Sequence, residues 1–326
     1  MIHRNFFTFI TFIILFSACQ KEKINLNGNV FGTTYNISYL DTKINYQKQI
    51  DSLFYLVNKS LSTYIPTSDI SKINNGDATV IVDDFFMEVF NKSKKIFKET
   101  DGYFDPTVGN LVNAYGFGSK KRKKNLTMME VKELMQFVGL DKVSLQKRKI
   151  VKEDPQVYLE FNSIAKGFGI DVIARFFESK KIANYLIEIG GEIRAKGQNQ
   201  QGKLWSIGLD YPNSNGTRSL SKIIKLNNKS VAGSGNFRKF RITDEGKKYV
   251  HTVNPKTGFA KESNLLSVYV IADLDCADVD AYATAFMAMG LEKTKEFLKT
   301  NSKIEAILHY LDAEGNFKEF SSYSYK

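Results

Sequence analysis

Glu160-Phe161-Asn162-Ser163-Ile164-Ala165-Lys166-Gly167-Phe168-Gly169-Ile170-Asp171 runs from an extended polar end into a helix start that holds a lysine and two glycines. Apolar residues then recur at three and four spacing, which predicts a helix over 163–180. On the N-terminal side, Phe31–Leu40 alternates as a strand does. Asn45–Leu61 carries Ile50, Leu53, Phe54, Val57 and Leu61 at helical spacing. Asp83-Asp84 reads as the cap of a helix with Phe86, Val89, Phe90, Ser93 and Phe97 on one face, and Met128–Val138 as a further helix. On the C-terminal side, Leu186–Ala195, Trp205–Asp210 and Leu265–Ala272 read as strands, and Ala277–Met289 as a buried helix. Ile304–Tyr310 and Phe317–Tyr323 form a predicted hairpin around Glu314-Gly315-Asn316. Helices and strands mix without strict alternation, so the pattern favours α+β over a doubly wound sheet. No internal repeat or long linker divides residues 28–326, which are expected to form one catalytic domain.

The chain has 326 residues, 46 basic and 35 acidic, for a formal net charge of +11. At 43% hydrophobic and 25% charged it has the composition of a folded domain. Two cysteines exclude a disulfide scaffold. One apolar run, Phe6–Phe16, excludes a polytopic membrane protein and is too short to span a bilayer comfortably. Arg4, that run, and Ser17-Ala18-Cys19 describe an export signal ending in a lipobox-like site, with Phe16 where leucine is usual. Residues 1–18 are therefore expected to be a lipoprotein signal peptide, Cys19 the acylated N-terminus and 19–27 a tether. A plain signal peptide with an incidental cysteine is the other reading. Cys276, with no basic neighbour in sequence, reads as a packing residue.

Four segments carry chemistry. Thr100–Gly109 holds Asp-Gly and Asp-Pro turn signals around Tyr103 and Phe104, two aromatics suited to flank a flat ligand. At the helix start around Lys166, free N–H groups and a mobile cation suit phosphate, although no P-loop pattern is present. His251 precedes the turn Asn254-Pro255-Lys256-Thr257-Gly258 and titrates near neutrality. Asp280 and Thr284 are four apart, so a helix sets a carboxylate and a hydroxyl on one face, as a hard cation such as Mg²⁺ requires. Capping by Asp278 or Asp280 with a buried threonine explains the same residues without a metal. The basic run Lys120–Lys124 lacks interleaved aromatics and any nucleic-acid module; it reads as a solvated loop, and no nucleic-acid partner is expected.

In order, Phe31-Gly32-Thr33-Thr34-Tyr35, Ser62–Asn74, Thr100–Gly109, Tyr115-Gly116-Phe117-Gly118, Ala165-Lys166-Gly167, Gly190-Gly191 with Gly197, Ser234-Gly235, His251–Gly258 and Asp280–Thr284 resemble the FAD:protein FMN transferase (ApbE-like) family. The resemblance spans about residues 28–300. It implies a two-lobed α+β fold with mixed or antiparallel sheets flanked by helices, and FAD in the cleft between lobes. It places Phe31, Tyr64, Tyr103, Phe104 and Asp105 on the flavin side, with Glu160, Lys166 and Thr252 touching FAD. It gives Mg²⁺ to Asp280, Thr284 and the backbone carbonyl of Ser163.

The implied reaction is Mg²⁺-dependent transfer of FMN from FAD to a threonine hydroxyl of an exported flavoprotein, such as a redox-pump subunit, releasing AMP. Acceptors of the family carry an Asp-x-x-Ser/Thr-x-x-Thr-like motif. Lys166 would stabilise phosphate charge and His251 is the candidate base. The implied location is the periplasmic face of a membrane, through the lipid on Cys19. Two alternatives remain: a Mg²⁺-dependent FAD pyrophosphatase, and a non-catalytic flavin-binding lipoprotein. The sequence departs from the family at Glu160, where Asp is usual, at Asn254, where Asp follows the histidine, at Glu188, where Asn is common, and at Ser163, where alanine is frequent.

Overall fold

A computed structural model of the protein describes residues 22–120, 125–211, 219–236, 240–242, 248–260 and 263–324. The predicted leader, the acylation site Cys19 and Lys121–Lys124 of the basic run lie outside the described residues. In chain order the strands are β1 (Ile24–Val30), β2 (Thr33–Tyr39), β3 (Val143–Gln146), β4 (Lys149–Lys152), β5 (Tyr185–Ile189), β6 (Glu192–Lys196), β7 (Trp205–Asp210), β8 (Leu220–Leu226), β9 (Ser230–Gly235), β10 (Phe240–Ile242), β11 (Lys248–Val250), β12 (Leu265–Ala272), β13 (Ile304–Leu311) and β14 (Phe317–Ser321). The helices are α1 (Gln47–Leu61), α2 (Asp69–Asn74), α3 (Asp84–Glu99), α4 (Gly109–Tyr115), α5 (Met128–Met135), α6 (Ala165–Ser179), α7 (Cys276–Met289) and α8 (Leu291–Thr300).

Eight strands form one sheet in the order β1-β2-β5-β6-β9-β12-β13-β14, while β3–β4, β7–β8 and β10–β11 pair separately. Each of these pairings is antiparallel, so the class is α+β as expected. Alternation along the central strands decides which face carries what. Val268 and Val270 of β12 join the large core with Phe86, Phe161, Phe168 and Phe286, where the helices pack. Ile271 of β12 and Ile307 of β13 point the other way, against Trp205, Ile207 and Leu226 of the β7–β8 hairpin. A second helical core lies under β2 and β5, with Tyr35, Ile37 and Ile187 against Phe177 of α6.

Three expectations are corrected. The 19–27 tether is shorter, because Ile24–Val30 is the edge strand β1, paired with β2 from Ile24↔Tyr39 to Val30↔Thr33. Phe31 and Gly32, with φ of 52° and 75°, make the two-residue turn between them, so Phe31 starts no strand. The single strand expected over 186–195 is two: Gly190 and Gly191, at φ 64° and 106°, fold β6 back onto β5 with Ile189 opposite Glu192. Among the described residues no helix is long and apolar enough to cross a membrane.

Candidate active site

The site forms where the start of α6 meets α7. Gly167 makes this approach possible, because a Cβ there would lie 2.3 Å from the Cys276 carbonyl oxygen and 2.7 Å from the Ala277 nitrogen. The Gly167 N–H donates to Asp280 Oδ2 at 3.2 Å. Lys166 Nζ lies 3.6 Å from that same Asp280 oxygen and 3.2 Å from Glu192 Oε1. Burial works against the Lys166 charge, but Asp280 and Glu192 outweigh it and hold the ammonium protonated. Burial pushes the Glu192 carboxyl up, while Lys166 pulls it back towards the ionised form against a smaller push from Asp280.

The start of α7 is fixed by charge. Asp171 of α6, fully buried, accepts from the Cys276 and Ala277 N–H groups at 2.8 Å each. Capping therefore comes from across the helix pair. The cap residue Asp275 makes no side-chain cap bond, and neither Asp278 nor Asp280 occupies that position, which corrects the capping explanation for these acids. Arg194 joins Asp171 to Asp275, and Lys92 joins Asp275 (2.9 Å) to Asp278 (3.0 Å). Burial and the nearby Asp275 raise the Asp171 carboxyl to about 6, against the pull of Arg194. Cys276 is fully buried at this junction with its thiol pushed up by burial, a packing residue as expected.

Nearly all of α7 is buried, but Thr284, one turn beyond Asp280, is only half-buried. Ser163 is also half-buried, in the turn that leads into α6. One turn further along α7, Met287, Ala288 and Gly290 line a cavity of about 270 Å³ with Asn236, Thr252 and Asn254. Its polar lining is uncharged, and it does not reach Lys166 or Asp280. Asn254 Nδ2 donates to the Ala288 carbonyl at 3.1 Å, while its Oδ1 accepts from Lys256 N–H. An ionised aspartate could not make the first bond, so this departure from the family ties the His251 turn to α7. His251 itself packs edge-on against Phe117, with ring centroids 6.5 Å apart.

The remaining predicted residues fall into two groups. Glu160, Tyr64 and Tyr158 are neighbours: the Tyr64 hydroxyl is raised first by burial, then by Glu160 and Tyr158. Tyr64 nevertheless exposes 59% of its surface, a large aromatic left open beside a carboxylate. Burial pushes Glu160 up to about 7. Lys120, first of the basic run, sits 4.7 Å above the Tyr158 ring. Phe31 lies over α6, where a Cβ on Gly169 would meet its ring at 2.6 Å, and rests edge-on against Phe54. In the other group, Tyr103 stands under the ammonium groups of Lys256 (5.7 Å) and Lys293 (5.3 Å). Asp105 is buried, its carboxylate holding the Thr107 N–H and hydroxyl, and burial raises it to about 6. Phe104 is 1% exposed within the large core, so its ring offers no surface to a ligand.

A family model described as the ApbE family matches residues 31–308. The chain belongs to the ApbE family. It is 35% identical to the FAD:protein FMN transferase of Haemophilus influenzae, over 95% of this chain and 93% of that one. It is 33% identical to the protein of the same name from Vibrio cholerae, over 99% and 98%. Among solved structures, the flavin transferase ApbE from Vibrio cholerae superposes with a TM-score of 0.84 at 32% identity, covering 94% of this chain and 98% of that one. The apo form of the Pseudomonas stutzeri flavinyl transferase ApbE gives 0.82 at 26%, covering 93% and 95%. This ApbE family member is accordingly an enzyme.

Sequence reasoning missed Glu192 and Asp171. Read as one strand, 186–195 puts Glu192 on the face of Glu188, which is half-exposed. The Gly190-Gly191 reversal instead sets Glu192 opposite the fully buried Ile189 and on its face, at 3% exposure. Glu188 stays outside, holding the Gly191 N–H and the Asn36 amide across the turn. An acid directly after two glycines in an apolar stretch was the available signal.

Proposed function

We propose that the protein transfers FMN from FAD to a threonine hydroxyl of another exported protein, releasing AMP, with Mg²⁺ at Asp280, Thr284 and the Ser163 carbonyl. The observation that carries this reading is the Lys166–Asp280 contact at the α6–α7 junction, next to the half-buried Thr284. The donors suit the ion: a carboxylate, a hydroxyl and a carbonyl are hard oxygens, and so few protein ligands leave room for substrate phosphate and water. When bound, Mg²⁺ supplies charge stabilisation to phosphoryl oxygens.

The chain's own groups do the rest. Lys166, held protonated, brings a positive charge to the pyrophosphate, and the α6 N-terminus adds its dipole. Tyr64, open to solvent, and Phe31 offer rings for the flavin, while Thr252 and the neutral cavity offer hydrogen bonds without charge. The threonine oxygen attacks the FMN phosphorus in line. The bond from that phosphorus to the bridging oxygen breaks, and the oxygen leaves with AMP. His251, half-buried on its turn, takes the hydroxyl proton. Asp105 orients its turn and is not the base.

The experiment is mass spectrometry of an exported acceptor bearing the Asp-x-x-Ser/Thr-x-x-Thr motif, incubated with enzyme, FAD and Mg²⁺. A covalent FMN addition on threonine is expected, lost in Asp280→Ala and slowed far more than FAD binding in His251→Ala. Free FMN and AMP with no addition would instead establish an FAD pyrophosphatase, and no AMP at all a flavin carrier. The enzyme is placed on the periplasmic face of a membrane by lipid on Cys19. Cys19→Ser should release it into the soluble fraction, and unchanged membrane retention defeats the anchor.

A further inference from the structure

Asp280 and Glu192 share one ammonium, and only one of them is a ligand in the metal reading. Asp280 Oδ2 already accepts the Gly167 N–H and stands 3.6 Å from Lys166 Nζ. A cation arriving at Asp280 meets the Lys166 charge at close range in a buried setting, where repulsion is strong. Lysine ordinarily carries its charge at neutral pH. It needs a second anion that is not consumed by the metal. Glu192 is placed for this: its Oε1 is 3.2 Å from Lys166, closer than Asp280 is. Its side chain is 4% exposed, and its Oε2 is buried without a hydrogen-bond partner. A buried carboxylate oxygen with unused acceptor capacity is costly unless something fills it. A lysine ammonium has three donors and can do so.

We propose that Glu192 is a positioning residue: it retains the Lys166 ammonium when Asp280 takes up the metal, and thereby sets the affinity of the metal site. This rests on the placement of Mg²⁺ at Asp280 argued above. Glu192 touches neither metal nor phosphate in this role and acts through Lys166. Without it, the ammonium has Asp280 as its one remaining carboxylate among those it contacts, and competes with the ion for it. The fold supports the division of labour. Asp280 belongs to α7, pinned at its start by Asp171, whereas Glu192 opens β6, so the two carboxylates are held by different elements.

The test is the dissociation constant for Mg²⁺ alone, by titration calorimetry of the full-length apoprotein without FAD. Circular dichroism and melting of each variant check the fold. Glu192→Gln should weaken Mg²⁺ binding about tenfold, a coupling typical of charged groups in contact. Glu192→Asp, which keeps the charge, should recover most of it. In a Lys166→Met background, Glu192→Gln should change binding less than about twofold, because no ammonium remains to compete. A tenfold loss in both backgrounds would make Glu192 a bare negative charge near the ion and overturn the proposal, as would wild-type affinity in Glu192→Gln. Mg²⁺ binding unchanged by Asp280→Ala would remove the metal placement itself, and this inference with it. That outcome is distinct from the other two, since it is read on a different residue.

Discussion

Replacing Gly167 with alanine adds one methyl group at the point where α6 meets α7, and the consequence can be worked out from distances. The new Cβ would lie 2.3 Å from the Cys276 carbonyl oxygen, 2.5 Å from its carbon and 2.7 Å from the Ala277 nitrogen. Ordinary contact begins at 3.4 Å, so the overlap is about 1.1 Å. All three atoms are backbone of the first turn of α7, which Asp171 pins through two N–H bonds. No rotamer change relieves the clash, so the helices must part by on the order of 1 Å. Overpacking of this kind costs about 1–3 kcal/mol, which lowers Tm by roughly 2–6 °C in a chain of this size. The same movement stretches the Gly167 N–H to Asp280 and displaces Lys166. A misplacement of about 1 Å at a reacting centre costs on the order of 100-fold in rate. Gly167→Ala should therefore stay folded at 25 °C and lose about two orders of magnitude in FMN transfer, read by the time course of FMN addition in mass spectrometry beside a melting curve. Gly169→Ala is the control for the melting curve alone, since its Cβ meets the Phe31 ring, a side chain that can turn but that the reading puts on the flavin side. Wild-type rate and Tm in Gly167→Ala would refute the close-packed junction as the device that brings Lys166 to Asp280.

Three further outcomes are expected. Asp171→Ala leaves two α7 N–H groups without their acceptor and Arg194 with Asp275 alone; breaking such a buried pair costs about 3–5 kcal/mol, so Tm should fall by roughly 5–10 °C in calorimetry, and a fall under about 2 °C would contradict it. Glu160 is raised from an ordinary 4.5 to about 7, so the folded apoprotein holds a proton that the unfolded chain releases. Its contribution to stability is intact below about pH 4.5 and is lost as pH rises towards 7; Glu160→Gln should flatten that part of the urea-midpoint profile, and an unchanged slope would show the carboxyl to be ionised at lower pH. Tyr64→Ala should change stability by less than about 0.5 kcal/mol, because the ring is mostly exposed, while weakening FAD binding in fluorescence titration; unaltered binding would remove Tyr64 from the flavin side.

What the sequence discloses depends on the range of the physics involved. Periodicity and capping are local. Leu265–Ala272 is therefore recovered as β12 without adjustment, Asp83 caps α3 by accepting the Phe86 N–H, and the terminal hairpin turns at 312–316 as expected. The two hairpins that were misread fail at their turns. Phe31 is not a residue that advertises positive φ, and Gly190-Gly191 inside an apolar run resembles a weak strand as much as a reversal. Parity then propagates the error, because a reversal changes which side chains share a face, and Glu192 moved from surface to core. Lys166 and Asp280 were legible only as chemistry-bearing residues on two separate helix starts and faces. Their meeting, across 113 intervening positions, depends on a glycine whose missing Cβ leaves no trace in any local pattern. Phe104 shows the reverse limit: an aromatic between turn signals reads as a ligand face, yet it is core.

The rigidity of this junction also implies that charge exchange, and not helix movement, would govern cation binding at the proposed metal site. The first two turns of α7 are almost wholly buried, capped by Asp171 and cross-braced by Lys92 and Arg194. Asp280 therefore has little freedom to swing towards or away from an ion. Lys166 has more, since its long side chain is 27% exposed and its ammonium is held by two carboxylates. Any adjustment that admits a divalent cation falls on that flexible stem. The anion left to Lys166 after such an adjustment then becomes an energetic determinant of the whole site, although it contacts neither nucleotide nor metal. A site in which one flexible cation is shared by two carboxylates should thus respond to loss of the non-ligating carboxylate as strongly as a site with one carboxylate responds to an added positive charge. The Glu192 and Lys166 double-mutant cycle measures that equivalence directly.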